Sequence, residues 1–554
     1  MYLVSVETVK IKDFIFNTNK LKTIRGASFL LDYLNQVVVK NILSKNGVEN
    51  SDILYVAAGN AKFYCKDEEV AKKIEAEIKE VYNSFAPDSK LAISYIDAGD
   101  QKIWDAMDKL AKETNIVKNK GFSKINLDLP FIEKCDICCD NPVQIKKENF
   151  NENLENYVKN FEPYLERENS KEDVNEKLKT LNDRYKIEYQ IFDNDKIKGI
   201  CPSCFAKYIA ANLIKEDFQG IGFYSEFKKE FKDEFKPVDS LEEYKLKKSF
   251  IGFMYSDGDS VGEFLKNAKE NFKDKDKGED KYKEFIKNFS QTLDKHTKGS
   301  LIEVLKELRE ENKLDEHFGE FLIVGGDDVC AVFPGHIVME VSTRFQERFN
   351  SKMKDYYKTC NFKNNGSNIT SSGGVIIAKA KTPMYYLFDQ SLTLQKNAKK
   401  KRYETYENKN VDFKNGFIDF QVIGSEGTVN IGDFRKGVKN LIQRPYSIED
   451  IDSCKKIDNL LQLIESLKAS NFPKNKLRMY YDLKAEIEKN PNKSMENLFE
   501  LINTIVKLDS EQKELILSWI GKENLSNSHE DTLKEILNNI FDVIELYDFV
   551  GGSK

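Results

Sequence analysis

Histidine is scarce in this sequence: 554 residues hold four, His296, His317, His336 and His529, and none is followed by aspartate. No run approaches the roughly 18 apolar residues that a membrane span needs. The chain opens on the strand-like Tyr2-Leu3-Val4-Ser5-Val6 and not on a charged, then apolar, leader, so a cytoplasmic protein is expected. There is no basic excess either: 86 Lys plus Arg stand against 92 Asp plus Glu, a formal net charge of −6. That excludes a globally basic nucleic-acid binder and leaves only local patches for such contacts. The nine cysteines are too few in a chain of this size to form a disulfide framework. With 40% hydrophobic residues, the length suffices for several domains with separate cores.

The stretch that organises the chain is 321–333, in which two apolar, β-rich runs flank Gly325-Gly326-Asp327-Asp328. This pattern predicts a hairpin with its turn chemistry at the centre. Adjacent carboxylates repel unless a cation lies between them, and a hard divalent ion with oxygen ligands relieves that repulsion. A second apolar strand, 250–255, ends in Ser256-Asp257-Gly258-Asp259-Ser260 before a helical run at 261–265. Asp257 with Asp327 and Asp328 is expected to hold two metal ions about 4 Å apart, the clamp that aligns an in-line phosphoryl transfer. The bland alternative is a pair of unrelated Asp-Gly turns.

The first quarter repeats the order of elements. A strand at 2–6 leads to Arg25-Gly26-Ala27-Ser28 at an expected helix start, a place that favours either a phosphate or simple capping. A hairpin at 53–65, a helix at 67–85, a strand at 91–95 and a helix at 101–113 follow, giving a β-α-β-β-α-β order. Leu54-Tyr55-Val56-Ala57-Ala58-Gly59-Asn60 set beside Leu322-Ile323-Val324-Gly325-Gly326-Asp327-Asp328 is the same hairpin without its acids. An internal duplication is expected.

Cys135-Asp136-Ile137-Cys138 and Cys201-Pro202-Ser203-Cys204 form CxxC…CxxC, two knuckles that close a tetrahedral, structural zinc site with no open position. Cys139 is the alternative to Cys138 as one ligand. The charged helices at 148–184 carry too little apolar surface to stand without such a staple. Cys65, Cys330, Cys360 and Cys454 read as small core residues or free thiols.

The second half supplies a lysine-rich solvated segment at 266–287, a helix near 301–308, and after the acidic hairpin a helix at 338–357. A strand at 368–377 precedes a helix that ends in Lys396-Asn397-Ala398-Lys399-Lys400-Lys401-Arg402. Lys399 is the candidate contact to a triphosphate, against a solvated helix end. A strand at 417–423 closes the unit, and helical runs at 457–467, 476–488, 498–508, 511–520 and 531–546 predict an all-α remainder.

The acidic hairpin preceded by strand-Asp257-Gly258-Asp259 resembles the palm domain of nucleotidyl cyclases, GGDEF-type cyclases and the large polymerase/cyclase subunit of type III CRISPR effector complexes. Two palms, one without its acids, separated by a zinc-binding linker, resemble the CRISPR subunit, in a III-B-like form. The resemblance implies an α+β fold of two ferredoxin-like palms: a degenerate palm at 1–130, a zinc-binding linker at 131–247, a GGDD palm at 248–425 and a helical domain at 426–554. It also implies a nucleotidyltransferase that, on target RNA binding, converts ATP to cyclic oligoadenylate in antiviral defence. Asp257, Asp327 and Asp328 would carry two Mg or Mn ions. Gly258, Asp259, Gly325, Gly326 and Lys399 would border the ATP site, with Arg25, Ser28 and Asn60 placing the second nucleotide. Partners would be the other effector subunits, guide RNA and target RNA, with no membrane. Without a His-Asp pair, the HD nuclease of many members is expected to be missing. Conjugation of ATP with S-adenosylmethionine, a non-catalytic scaffold and, third, a free-standing dinucleotide cyclase stay open as alternatives.

Overall fold

The computed structural model describes residues 1–551 except 58, 121–130, 162–185, 214–221, 235–237, 239, 245–248, 274, 361, 363–367, 408–410, 412, 425–429, 452–454, 490–493 and 521–535. Cys454, His529, the expected charged helices beyond 161, the start of the last expected helix and the expected domain joints near 130, 247 and 425 lie outside the described residues.

The first unit is a sheet of β1 (Tyr2–Val9), β2 (Ile53–Ala57), β3 (Asn60–Cys65) and β4 (Lys90–Asp97), antiparallel throughout in the order β2-β3-β1-β4. Successive β1 side chains point to opposite faces, and both faces are covered. Val4 and Val6 enter a core with Ile74 and Ile78 of the helix Glu68–Phe85, while Leu3 enters a second cluster with Trp104 and Tyr282. The helix Glu68–Phe85 starts where the Asp67 carboxylate accepts the Val70 N–H at 2.9 Å. It buries Ala71, Ile74, Ile78, Val81 and Phe85 at helical spacing, each large side chain contributing about 1.5–3 kcal/mol.

The second sheet joins β5 (Phe250–Asp259), β6 (Glu320–Gly325), β7 (Asp328–Pro334), β8 (Thr370–Lys379), β9 (Phe417–Ile423) and β10 (Tyr446–Ser447) in the order β10-β9-β8-β5-β7-β6. Only the β8–β9 pair is parallel among the described ladders. Four consecutive strands at one end of it, β6-β7-β5-β8, repeat the order β2-β3-β1-β4. The two hairpins share a finer feature: the register slips between Ile53 and Tyr55 in one and between Phe321 and Ile323 in the other. They close on Ala57 opposite Asn60 and on Gly325 opposite Asp328, so Asn60 stands at the register position of Asp328. The expected β-α-β-β-α-β order is therefore present in both halves.

Three expectations need correction. Arg25-Gly26-Ala27-Ser28 do not begin a helix: the helix spans Leu21–Tyr33 and they sit in its interior, so no unpaired N–H groups gather there. Gly26 instead allows close packing, since a Cβ on it would lie 1.8 Å from the Lys207 carbonyl of the helix Pro202–Leu213. The lysine-rich segment and the short helix expected after it form mainly one 33-residue helix, Gly278–Glu310. Its buried stripe of Tyr282, Ile286, Phe289 and Leu293 continues into Leu301, Val304, Leu305 and Leu308, interspersed with lysines and glutamates that obscure the period. Finally, 426–554 is not wholly helical: Tyr446–Ser447 pairs with β9, and two residues carry too short a period to read. The helices Ile457–Ala469, Lys474–Lys489, Ser494–Val506, Ser510–Ile520 and Ile540–Leu546 share the core of the second sheet.

Candidate active site

The acids meet at one end of the second sheet. Gly326 adopts φ +61° in the two-residue link between β6 and β7, a conformation that suits glycine and folds Asp327 and Asp328 back beside β5. Close approach explains Gly258 as well: a Cβ there would lie 2.7 Å from Asp327 Oδ2 and 2.8 Å from Asp327 Cβ. The strand end Asp257-Gly258 thus packs directly on the hairpin acids. Burial first, and then the neighbouring carboxylates, push Asp327 and Asp328 above the ordinary carboxylate range. Such a cluster calls for positive charge.

One cation does reach it. The helix Met384–Tyr406 crosses the sheet end, and Lys399 Nζ donates to Asp257 Oδ2 at 2.7 Å and to the Gly258 carbonyl at 2.8 Å. Against the cost of burial, Asp257 and its neighbours hold Lys399 charged. The ammonium thus rests on a carboxylate and a main-chain carbonyl, two oxygens of the kind that magnesium-like ions take as ligands. Gln395, one turn before Lys399, donates to the same Asp257 oxygen at 3.3 Å.

Asp259 faces elsewhere. It is buried, and its Oδ2 accepts Thr370 Oγ1 at 2.8 Å and Ser372 Oγ at 2.7 Å, with Arg402 Nε at 3.4 Å. It anchors the strand end to β8 and to the same helix that carries Lys399.

Two groups of residues that sequence reasoning missed support the acids. Tyr255 on β5 donates its hydroxyl to Asp328 Oδ1 at 2.6 Å, and Lys12, from the first unit, donates to the Tyr255 oxygen at 2.9 Å. Lys12 also lies 4.3 Å over the Tyr255 ring and 4.9 Å over Phe388. Burial, then Asp328, keeps the Tyr255 phenol protonated. Beneath the turn, Asp294 and Thr297 of the helix Gly278–Glu310 bond the N–H and C=O of Gly326. The sequence offered a signal only for Gln395, which shares a helix face with Lys399 four residues on; the partners of Tyr255, Lys12, Asp294 and Thr297 are distant in the chain.

Residues expected from the first unit separate. Arg25 does not present its guanidinium to the acids; it is buried, bonded to Glu320 and to the Val238 carbonyl at 2.7 Å. The expectation that it meets a nucleotide phosphate is corrected, because an ion pair with Glu320 already takes that charge. Ser28 is half-buried on the helix Leu21–Tyr33, and Asn60 is half-buried at the start of β3.

Away from this site, Cys135, Cys138, Cys201 and Cys204 bring their four sulfurs within 4.8 Å of one another. The Cys138–Cys201 separation is 3.8 Å. Tetrahedral bonds of about 2.3 Å place sulfurs about 3.8 Å apart, so the cluster fits zinc. The Ile137 and Cys204 N–H groups donate to the Cys135 and Cys201 sulfurs, at 3.4 Å each. Contacts with Cys135 first, and then with the other sulfurs, pull Cys138 below the ordinary thiol value and push Cys204 above it. Cys138 is in the cluster, whereas Cys139 is exposed and outside it.

Residues 250–409 match the family described as the second palm domain of Cas10/Cmr2, and residues 1–131 match that described as Csm1 subunit domain B. The chain is 29% identical over 218 residues to a CRISPR system single-strand-specific deoxyribonuclease Cas10/Csm1, subtype III-A, of Methanocaldococcus jannaschii. That match covers 38% of this chain and only 24% of the relative. Among solved structures, a Csm1-Csm4 cassette in complex with cA3 aligns with a TM-score of 0.53 at 14% identity, covering 99% of this chain and 69% of that one. A cassette in complex with one ATP aligns with a TM-score of 0.51 at 15% identity, covering 99% and 70%. At such identities these two structures speak for the fold alone. No helix among the described residues is long and apolar enough to cross a membrane. Over the acidic strands and over the first sheet, this chain is thus similar to the Cas10/Csm1 family, with which it shares the palm and domain B matches.

Proposed function

We propose that this chain is the nucleotidyl cyclase subunit of a type III CRISPR effector complex, joining ATP into cyclic oligoadenylate when target RNA pairs with the guide. The observation that carries the reading is the convergence of Asp257, Asp327 and Asp328 with Lys399 at one sheet end, inside the span that matches the Cas10/Cmr2 palm. The Csm1 matches favour the III-A branch over the III-B-like form expected from the sequence. The repeated strand order and shared register slip support two palms, 1–130 and 248–425, of which the first lost its acids. The cysteine cluster supports a zinc-stapled linker at 131–247, followed by a mainly helical domain at 426–554.

Magnesium or manganese, held by Asp257, Asp327 and Asp328, would supply the Lewis acidity that activates a ribose hydroxyl and neutralises phosphate charge. The chain's own residues do the rest. Gly258 lets Asp327 approach the strand end, and Tyr255 orients Asp328 by occupying one of its two oxygens. Lys399 offers a mobile ammonium to a triphosphate once Asp257 has another cation to satisfy it. A 3′-oxygen of one ATP attacks the α-phosphorus of another, the bond to pyrophosphate breaks, and repetition with ring closure yields the cyclic product. Gly325 and Gly326 leave the turn free of side chains beside the phosphates, while Ser28 and Asn60 of the first palm face the second nucleotide.

The test assembles the protein with its guide complex, target RNA, magnesium or manganese and labelled ATP, with and without S-adenosylmethionine, and resolves products by mass spectrometry. Adenylate rings that disappear in the Asp327→Ala, Asp328→Ala double variant are expected. A product that requires S-adenosylmethionine would move the assignment to conjugation, and the lack of any metal-dependent product would leave a scaffold.

A further inference from the structure

The acidic turn is held from beneath by the helix Gly278–Glu310. Thr297 is fully buried on Gly278–Glu310, and its hydroxyl lies 2.6 Å from the Gly326 carbonyl, closer than the 3.0 Å to the Leu293 carbonyl of its own helix. One turn earlier, Asp294 Oδ1 accepts the Gly326 N–H at 3.0 Å. Both polar groups of the turn glycine are thus engaged by side chains of one helix. Asp294 is itself fixed, because its Oδ2 lies 2.7 Å from the ammonium of Lys298, whose side chain is 4% exposed. Lys298 in turn is attracted by Asp32 of the first unit.

We infer that Thr297 and Asp294 are positioning residues that clamp the Gly326 peptide and so fix Asp327 and Asp328 for metal binding. The physical need is plain. A two-residue link at φ +61° can pivot, and metal ligands must be held within about 0.5 Å of their working geometry. A rigid 33-residue helix that also packs against the first unit, through Tyr282 and Ile286 beside Trp104, is a suitable support. The inference rests on the acid cluster being a metal site.

The experiment measures Mn²⁺ binding to the full-length chain by electron paramagnetic resonance, with the Asp327→Ala, Asp328→Ala variant as the blank and melting temperature recorded for each protein. Thr297→Val removes the donor at constant charge and shape; Thr297→Ser keeps it. Losing one hydrogen bond to a buried carbonyl is expected to weaken Mn²⁺ on the order of tenfold in Thr297→Val, while Thr297→Ser binds like the wild type. Should Thr297→Val not fold, Asp294→Asn, which keeps an acceptor for the Gly326 N–H, is expected to bind Mn²⁺ more tightly than Asp294→Ala. Wild-type affinity in a folded Thr297→Val protein, or equal binding by the two Asp294 variants, overturns the clamp while the metal reading stands. Mn²⁺ binding that ignores Asp327 and Asp328 overturns both.

Discussion

Arg25 Nε donates to Glu320 Oε2 at 2.9 Å, with both side chains buried, and ties the helix Leu21–Tyr33 of the first unit to the first residue of the strand that leads into the acidic turn. Burial raises the Glu320 carboxyl despite the guanidinium beside it. A charge left alone there has no water to turn to. Arg25→Met is therefore expected to cost about 3–5 kcal/mol, and Arg25→Met with Glu320→Leu to recover most of it. Urea unfolding of the three proteins checks this; equal stability of the two variants would show that the pair is not isolated from solvent.

Lys399 bridges Asp257 and Gly258, and as an ammonium it has no lone pair to offer a metal. Lys399→Met should lower kcat/KM for ATP on the order of 10²-fold, as loss of one preorganised charge contact does, while Mn²⁺ binding persists. Steady-state kinetics beside Mn²⁺ titration separate the two roles. Lost Mn²⁺ binding would make Lys399 part of the metal site's support.

The four-sulfur cluster predicts a sharp difference between neighbours in sequence. Cys138→Ser should release zinc and lower the melting temperature, whereas Cys139→Ser should retain both, because only Cys138 joins the cluster. Elemental analysis of the purified variants measures it.

Asp32 gives a pH signature. Burial, opposed by Lys298, raises its carboxyl to about 6 from the ordinary 3.8. A carboxyl raised on folding contributes stability that is fully present below its unfolded value and is lost as pH rises through its folded value. The window is therefore from about pH 4 to about pH 6. Asp32→Asn, which cannot ionise, should gain melting temperature relative to the wild type across that window and hold the gain above it. A difference that stays constant with pH would show that the Asp32 carboxyl is not desolvated in solution.

What the sequence determined is local. The alternation and turn chemistry around Gly325-Gly326-Asp327-Asp328, the strand that carries Asp257, the closeness of Phe417–Ile423 to its expected bounds and the CxxC pairs follow from short-range periodicity and from side-chain chemistry. Even the repeated order of strands was legible, because both hairpins keep one pattern in the chain. What only the tertiary structure decided is which distant side chains meet. Arg25 looked like a phosphate ligand, because sequence shows a cation near small residues and does not show that Glu320, 295 positions away, takes it. Lys12 and Thr297 carried no signal in the sequence; the packing of units brings Tyr255 and Gly326 to them. Helical period is set by neighbours three and four residues apart, whereas a buried polar group is satisfied by whatever partner folding carries to it, and no local pattern records that partner.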